Sequence, residues 1–546
     1  MSSFGPLDDA DFNQTPPFGD SDLFALDTPL RDAVRHSGGD PVALHRFGSA
    51  WGRAASFDLG RLANDNPPRL RTTDSTGRRI DRVEFHPAYH DLMTMSMADG
   101  LHCSSYDGSE PAATSTLRAA RVYMASGVEA GHMCPITMTN AAVGSLRAAP
   151  DLLAQLMPKL TSRRYDARPM PWWDKHSVTI GMGMTERQGG TDVRANISTA
   201  TAAGEHVEIT GHKWFMSAPM CDAFLVLAQA PAGLSCYFLP RHRPDGSANA
   251  LRFNRLKDKL GNRSNASSEV EFLGAYALPV GAPGAGVRTI IEMVQATRLD
   301  CAVASAGLMR MGLAHALHHV RHRRVFQRHL IDQPAMRAVL ADMALDVEAF
   351  TALAFRLARA FDASATDPAE AAFARVMTPA IKYLVCKRTP AFIYEAMECH
   401  GGNGYVEELP MARLYREAPL NAIWEGSGNV MALDLLRAAA RQPDATATTI
   451  AALAKAAAPV WDATAHVAEI DRLFRSGDNE RHARRLCEML AKLAALAVLA
   501  DTGSAFARLY ASTRLQGPHH DQYGATDIPF RHQSSLLARA YTVEDD

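Results

Sequence analysis

Net charge is almost absent from this sequence: 57 Lys and Arg stand against 59 Asp and Glu, a formal balance of −2. No global field draws such a chain to nucleic acid or to an anionic membrane, so a basic face, if there is one, has to be local. Apolar runs long enough to span a bilayer are also missing. The first eleven residues are acidic and lack a basic segment followed by an apolar stretch, so no secretory signal is expected. The eight cysteines, at 103, 134, 221, 236, 301, 386, 399 and 487, are scattered, with no C-x-x-C pair. That spacing suggests neither a disulfide scaffold nor a zinc site and points to reduced thiols in a cytoplasmic protein. What remains is a chain of 546 residues, 47 % apolar and 21 % charged, long enough for several domains around large cores.

The patterning changes along the chain. Residues 1–45 are rich in Pro, Gly and Asp and are expected to form an irregular arm. Helical spacing follows through 112–146 and on through Leu152, Leu156 and Leu160, giving a helical domain over 46–177. From 178 to 284 the chain is punctuated by turns and enriched in strand formers. Gly204 lies between two alternating runs within 197–209 and predicts a hairpin, while 224–227, 236–239 and 270–272 predict further strands. Long amphipathic stretches at 289–324, 335–361 and 369–399, with a break at Asp367-Pro368, predict an antiparallel bundle over 285–441, ending in a helix over 429–441. Beyond Gln442 an Ala-rich helical extension is expected over 442–546, broken at Ser476-Gly477-Asp478 and at Gly517-Pro518.

Four short segments carry candidate chemistry. Met184-Thr185-Glu186-Arg187-Gln188-Gly189-Gly190-Thr191-Asp192 combines hydroxyls with glycines that let a ligand approach the backbone. It reads equally as a polar turn. Gly211-His212-Lys213-Trp214-Phe215-Met216-Ser217 offers a flat apolar wall with one hydroxyl, or else a core strand with aromatic packing. Gly401-Gly402-Asn403-Gly404-Tyr405 follows a helix, not a strand, so it is no Rossmann fingerprint. It is a helix C-cap or a phosphate cradle. Ile423-Trp424-Glu425-Gly426-Ser427-Gly428-Asn429 sets a carboxylate between a bulky apolar pair and a Gly-rich turn, surroundings that suit a general base.

In this order, and across these changes of pattern, the four segments resemble the acyl-CoA dehydrogenase family over residues 100–440. The resemblance implies a mainly α protein with a middle β domain: an N-terminal helical domain, a β-barrel-like middle domain and a C-terminal helical bundle, here with an extra C-terminal helical domain. It implies FAD, held by Met182, Gly183, Met184, Thr185, Gln188, Gly189, Gly190 and Thr191, by Phe215, Met216 and Ser217 beside the isoalloxazine, and by the turn Gly401, Gly402 and Gly404. Ile423, Trp424, Glu425, Gly426, Ser427, Gly428 and Asn429 complete the set, and Arg323 and Phe326 match an R-x-x-F stretch that reaches the FAD of a neighbouring subunit. Glu425 matches the catalytic base and Arg298 an arginine lining the active site. The implied reaction is removal of a proton next to a thioester carbonyl, with hydride passing to the flavin.

Further segments resemble the AidB-type alkylation-response flavoproteins, a bacterial branch of that family. They include Phe12-Asn13-Gln14, Phe85-His86-Pro87, Cys134-Pro135-Ile136-Thr137-Met138-Thr139 and the run 256–266. This resemblance implies a homotetramer with FAD, a weak isovaleryl-CoA-like dehydrogenase activity, and double-stranded DNA binding through the C-terminal helices, in the service of protecting DNA or deactivating alkylating agents. The alternative is a dedicated acyl-CoA dehydrogenase of fatty or branched-chain catabolism. Arg437, Arg441, Arg475, Arg481, Arg484, Arg485 and Lys492 are the candidate DNA contacts, yet residues 445–546 hold eleven basic against twelve acidic side chains. Phe215 stands where the family commonly has Trp, and Glu398 where it commonly has Gln. His315, His318, His319 and His322 share a helix at metal-ligand spacing but lack acidic or thiolate partners, so no metal is expected.

Overall fold

A computed structural model describes residues 12–110, 112–517 and 520–542. The acidic stretch 1–11 and Pro518 of the expected break lie outside the described residues. In chain order the elements are α1 (Thr28–His36), α2 (Val42–Trp51), α3 (Ala54–Asp65), β1 (Arg69–Thr73), β2 (Arg79–Glu84), α4 (Pro87–Ala98), α5 (Thr114–Val128), α6 (Met133–Leu146) and α7 (Pro150–Leu160). Strands β3 (Ile180–Gly183), β4 (Thr199–Ala203), β5 (His206–Ser217), β6 (Ala223–Ala230), β7 (Gly233–Pro240), β8 (Leu251–Leu256) and β9 (Ser267–Val280) follow. Next come α8 (Gly286–His322), the short pair β10 (Arg324–Val325) and β11 (Arg328–His329), α9 (Pro334–Ala363), α10 (Pro368–Glu398), α11 (Gly402–Tyr405), α12 (Pro410–Glu417) and α13 (Gly428–Arg441). The chain ends with α14 (Pro443–Ala457), α15 (Thr464–Phe474), α16 (Asn479–Asp501), α17 (Ala507–Arg514) and α18 (Phe530–Ala540). These elements fall into two compact units, one of residues 55–125 and 129–300, the other of 1–54, 126–128 and 301–546.

The first unit is built on a barrel. Strands β6, β4, β5, β9 and β7 pair in that order and β7 returns to β6, which closes the ring; β3 adds to β6 in parallel and β8 to β9. Closure leaves the ring itself without a free edge, and the buried rings of Phe224, Phe238, Phe253 and Phe272 belong to the unit's core. The expected hairpin is present, β4 against β5 with Gly204 at φ +74° in the turn. Gly181 is required by the close parallel approach of β3 and β6, because a Cβ there would fall 2.6 Å from the Phe224 ring.

Around the barrel unit's helices the expectation needed two refinements. The helical spacing through 112–146 is two helices, broken after Val128. Glu129 makes the break: its carboxylate accepts from the backbone N–H groups of Gly131 (2.9 Å) and His132 (2.8 Å) ahead of α6. The hairpin β1–β2 was not expected, since its exposed, Arg-rich strands carry no apolar alternation. Its turn is closed by Asp74, whose Oδ1 accepts from Thr76 N, Thr76 Oγ1 and Arg78 N at 2.8–2.9 Å.

In the second unit α9, α10, α13 and α16 pack on one another as the bundle. The irregular arm expected over 1–45 is corrected here: it contains α1, capped by Asp27, which accepts from Leu30 N at 3.0 Å, with Pro29 in the first turn. The cap and the first-turn proline are local helix-start signals that outweigh the Pro/Gly-rich composition around them. The extension after Gln442 belongs to this same unit. Its break at 476–478 separates α15 from α16, and the apolar stripe Leu486, Leu490, Leu493 and Ala497 of α16 is buried. Arg514 then spans Asp342 (2.5 Å) and Asp346 (2.9 Å), two carboxylates one turn apart on α9. Among the described residues no helix is long and apolar enough to cross a membrane, and all eight cysteines are free and buried.

Candidate functional site

In the barrel unit the first two motifs are tied together by a buried ion pair. Lys213 Nζ on β5 lies 2.7 Å from Glu186 Oε1 in the loop after β3, and neither side chain has any solvent exposure. Lys213 also donates to the Leu227 carbonyl at 2.8 Å, and Glu186 accepts from the N–H groups of Ile197 (2.7 Å) and Ser198 (3.3 Å). Burial pushes the Glu186 carboxyl up, but Lys213 and these amides prevail and hold it down at about 2. Trp214 N donates to Thr185 O at 2.8 Å and Asn196 Nδ2 to Met184 O at 3.0 Å, so the loop is fixed from both sides.

The register of β5 against β9 slips between Lys213 and Met216. This bulge turns two consecutive side chains outward where a regular strand alternates. Trp214 is half-buried and Phe215 is 50 % exposed, while Met182, Gly183 and Met216 are buried and Ser217 Oγ lies 3.1 Å from Ser267 Oγ. Lys257 Nζ sits over both rings, 3.5 Å from the Trp214 centroid and 4.6 Å from that of Phe215. Gln188, Gly189, Gly190 and Thr191 are exposed. The Thr185 hydroxyl occupies the place a Cβ on Gly190 would need, 2.3 Å away. Arg298, on α8, is buried. Its neighbour Asp300 forms a two-pronged pair with Arg118 at 2.7 and 2.9 Å.

In the bundle unit the loop before α13 carries Glu425 at φ +56°, followed by Gly426 at φ +98°. A left-handed backbone at a residue with a side chain is disfavoured and has to be enforced by its surroundings. The enforcement comes from two directions. Lys382 on α10 donates to Trp424 O (2.9 Å) and Gly426 O (2.8 Å). The Trp424 indole N–H donates to Asn421 Oδ1 at 2.9 Å, and Asn421 Nδ2 donates to Ser305 Oγ on α8 at 3.1 Å. Ile423 is exposed, Ser427 is exposed, Gly428 is buried at the start of α13, and Asn429 accepts from Arg484 Nε at 2.7 Å.

Gly401 has φ +60° and ψ −141°, a conformation open only to glycine. No atom lies within 4 Å of an ideal Cβ on Gly401 or Gly402, whereas one on Gly404 would meet the Met397 carbonyl at 2.1 Å. The first two glycines face open space and the third is needed for packing. Phe326, at the tip of β10–β11 with φ +49°, is 91 % exposed. Arg323 donates to the Asn13 carbonyl, while Asn13 exchanges hydrogen bonds of 2.9 Å with Arg324 N and O. The donor set and the open glycines fit FAD: backbone and hydroxyl groups for phosphates in one motif, aromatic surface in another.

The candidate DNA contacts are not one free cationic row. Arg437, Arg441, Arg475 and Arg481 are exposed and form no ion pair among the described residues. Arg485 is paired with Glu469 (2.9 Å), Lys492 with Glu488 (2.7 Å), and Arg484 is bonded to Asn429. The histidines of α8 serve the N-terminal arm. His319 Nδ1 lies 2.9 Å from Thr15 Oγ1, His318 Nε2 lies 2.9 Å from the Pro16 carbonyl, and Phe18 packs edge-on to His315. Burial draws His319 down to about 4. Among the described residues no group of His, Cys, Asp and Glu is placed to hold a metal ion.

Glu186 and Lys213 lie inside motifs legible in the sequence without being assigned there to each other, and Lys382 and Ser305 stand outside every motif. A charged side chain in the run Ala380-Ile381-Lys382-Tyr383-Leu384-Val385-Cys386 was the available signal.

Known proteins are similar to this chain over most of its length. Three family models match in succession: Adaptive response protein AidB N-terminal domain over 13–167, Acyl-CoA dehydrogenase middle domain over 181–274, and Acyl-CoA dehydrogenase C-terminal domain over 284–440. The acyl-CoA dehydrogenase-type protein AidB of Escherichia coli (strain K12) is 48 % identical over 442 residues, spanning 79 % of this chain and 80 % of that one. Among solved structures, the apo form of Bd2924 superposes with a TM-score of 0.82 at 28 % identity, over 90 % of this chain and 99 % of that one. Caenorhabditis elegans ACDH-11 in complex with C11-CoA also gives a TM-score of 0.82, at 25 % identity, over 99 % and 94 %. The chain therefore belongs to the acyl-CoA dehydrogenase family, in its AidB-type branch, a family of FAD-dependent oxidoreductases that act on CH–CH bonds.

Proposed function

We propose that this protein dehydrogenates an acyl-CoA thioester next to its carbonyl, with Glu425 as the base. The observation that carries the reading is the left-handed backbone of Glu425, held there by Lys382 and Asn421. Strain of this kind persists where a side chain has to be aimed. Met184, Thr185, Gly190, Thr191, Phe215, Met216 and Ser217 would hold FAD, as would Arg323, Phe326, Gly401 and Gly402. FAD, once bound, supplies the acceptor for the hydride of the β-carbon. Glu425 removes the proton of the α-carbon, a weak carbon acid that needs a positioned base. The match of Arg323 and Phe326 to the family's R-x-x-F stretch that reaches a neighbouring subunit's FAD favours a homotetramer, and Phe326 is exposed as that reading requires. Eight free, buried thiols suit a cytoplasmic setting.

The test is anaerobic mixing of the FAD-loaded protein with isovaleryl-CoA and with C11-CoA, the ligand of the C. elegans relative. Bleaching of the flavin is expected with at least one, and none in Glu425→Gln. Wild-type protein that bleaches with neither would sink the reading.

A second reading adds association with double-stranded DNA and a part in the response to alkylation damage. The resemblance to AidB and the exposed Arg437, Arg441, Arg475 and Arg481 favour it; the paired Arg485 and Lys492 weigh against a strong field. Affinity for a duplex should fall steeply between low and high salt, with a log–log slope that drops by about 1 for each phosphate contact removed. A triple reversal of Arg481, Arg484 and Arg485 to Glu that leaves both affinity and slope intact would rule out this face.

A further inference from the structure

Lys382 sits in the middle of α10 and is 1 % exposed. Its ammonium donates to two carbonyls, those of Trp424 and Gly426, and forms no ion pair with a carboxylate among the described residues. A lysine is seldom buried without a charged partner, because desolvation of an ammonium is costly. Here the two carbonyls belong to the residues on either side of Glu425. By covalent geometry alone the Glu425 Cα lies within about 6 Å of the Lys382 nitrogen.

We propose that Lys382 is the positioning residue for the Glu425 base, gripping both flanking peptides so that the left-handed turn presents the carboxylate in one orientation. This role for Lys382 rests on Glu425 being the base. One ammonium bonded to the carbonyls before and after a residue fixes the planes of both peptides and so leaves that residue's φ and ψ little freedom. Asn421 holds the same loop through the Trp424 indole and is itself held by Ser305. Those contacts fix the indole and leave the Gly426 carbonyl to Lys382. A merely structural lysine would act on stability. A positioning lysine acts on the rate at which bound substrate loses its proton, since a small misplacement of a catalytic group slows reaction by about a hundredfold.

The experiment uses the full-length, FAD-loaded protein, C11-CoA and rapid anaerobic mixing, with Lys382→Met, Lys382→Gln and Glu425→Gln beside wild type. Lys382→Met fills the volume and removes every donor; Lys382→Gln restores a neutral donor. In Lys382→Met the limiting rate of flavin reduction should fall by about a hundredfold, while the C11-CoA concentration giving half the limiting rate and the FAD content stay close to wild type. Lys382→Gln should fall between the two, and it keeps the comparison available if the Met variant does not fold. Wild-type limiting rates in both Lys382 variants would overturn the proposal while a dead Glu425→Gln leaves the base standing. Parallel loss of FAD content and substrate affinity in both variants would also overturn it, as a purely structural role. A Glu425→Gln variant that still bleaches would take down the base assignment and the proposal with it.

Discussion

Glu186 and Lys213, 27 residues apart in sequence, meet at 2.7 Å with no solvent exposure on either side. The contact locks the turn-like motif after β3 onto the aromatic motif of β5. Each motif alone reads as an ordinary turn or an ordinary strand. Joined, they bring Thr185 and Trp214 within a backbone hydrogen bond of each other, next to the bulge that carries Phe215.

Breaking this pair on one side should be costly, because the remaining charge stays buried. Lys213→Met and Glu186→Gln should each destabilise the protein by about 3–5 kcal/mol in urea titration. The double variant should recover much of that loss, since two neutral groups of similar size no longer leave an orphaned charge. Additive losses in the double variant would mean that the two side chains act separately.

Acid should unfold the barrel unit through its buried carboxylates. Burial pushes the Glu129 carboxyl up, but the hydrogen bonds and charge of His132, with help from Asn64, hold it at about 2, as Lys213 does for Glu186. A carboxyl whose folded value lies below its unfolded value of about 4.3 contributes stability above that value and loses it as the pH falls toward 2. Thermal midpoints should therefore start to fall below about pH 6.5, where His102 and His319, drawn down to about 4 by burial, begin to favour the unfolded chain, and fall further between about pH 4.5 and 2 as these carboxyls protonate. Glu129→Gln should lower the midpoint at neutral pH and reduce the slope of its decline in acid. An unchanged slope would show that Glu129 does not titrate in that window.

The C-terminal extension is clamped to α9 by charge. Arg514 reaches Asp342 and Asp346, and the Tyr523 hydroxyl donates to Asp346 Oδ2 at 2.8 Å. Burial pushes the Asp346 carboxyl up, yet Arg514 and Arg388 hold it below its usual range. Arg514→Ala leaves two buried carboxylates short of their partner and should cost about 3–5 kcal/mol. Hydrogen exchange should localise the loss to α9, α17 and the segment that follows, and faster exchange confined to α17 would mean the clamp is local.

Much of this arrangement was legible in the chain. The change from a 3.6-residue to a 2-residue period marked the barrel unit, and Gly204 marked its first hairpin. Motif order then outweighed the ambiguity of each motif. What stayed hidden has physical causes. Helix α1 is announced by a cap and a proline inside a composition that argues for a loop. The β1–β2 hairpin is held by Asp74 and not by apolar alternation. Lys382 and Lys213 break the rule that lysine marks a surface, and only their partners, 14 to 44 residues away, explain why. The basic residues of α16 looked like a cluster because neighbours in sequence share a helix, whereas Glu469 and Glu488 decide which of them are free.

The two outward glycines of the Gly401-Gly402 turn separate a ligand effect from a folding effect. Gly401→Ala forces a side chain into a conformation reserved for glycine and should destabilise the apo protein by about 1–3 kcal/mol. Gly402 differs: it lies in the short helix α11, and no atom within 4 Å opposes a Cβ there. Gly402→Ala should leave the thermal midpoint of the apo protein unchanged or slightly raised, because alanine loses less conformational freedom than glycine in a helix. If the turn receives the FAD pyrophosphate, the same methyl group stands where the ligand approaches, and FAD should dissociate at least about tenfold more readily, equivalent to about 1.4 kcal/mol. Fluorescence titration of apoprotein with FAD reads the second effect and thermal scanning the first. Gly402→Ala with wild-type FAD affinity would remove this turn from the cofactor site, whatever its effect on folding.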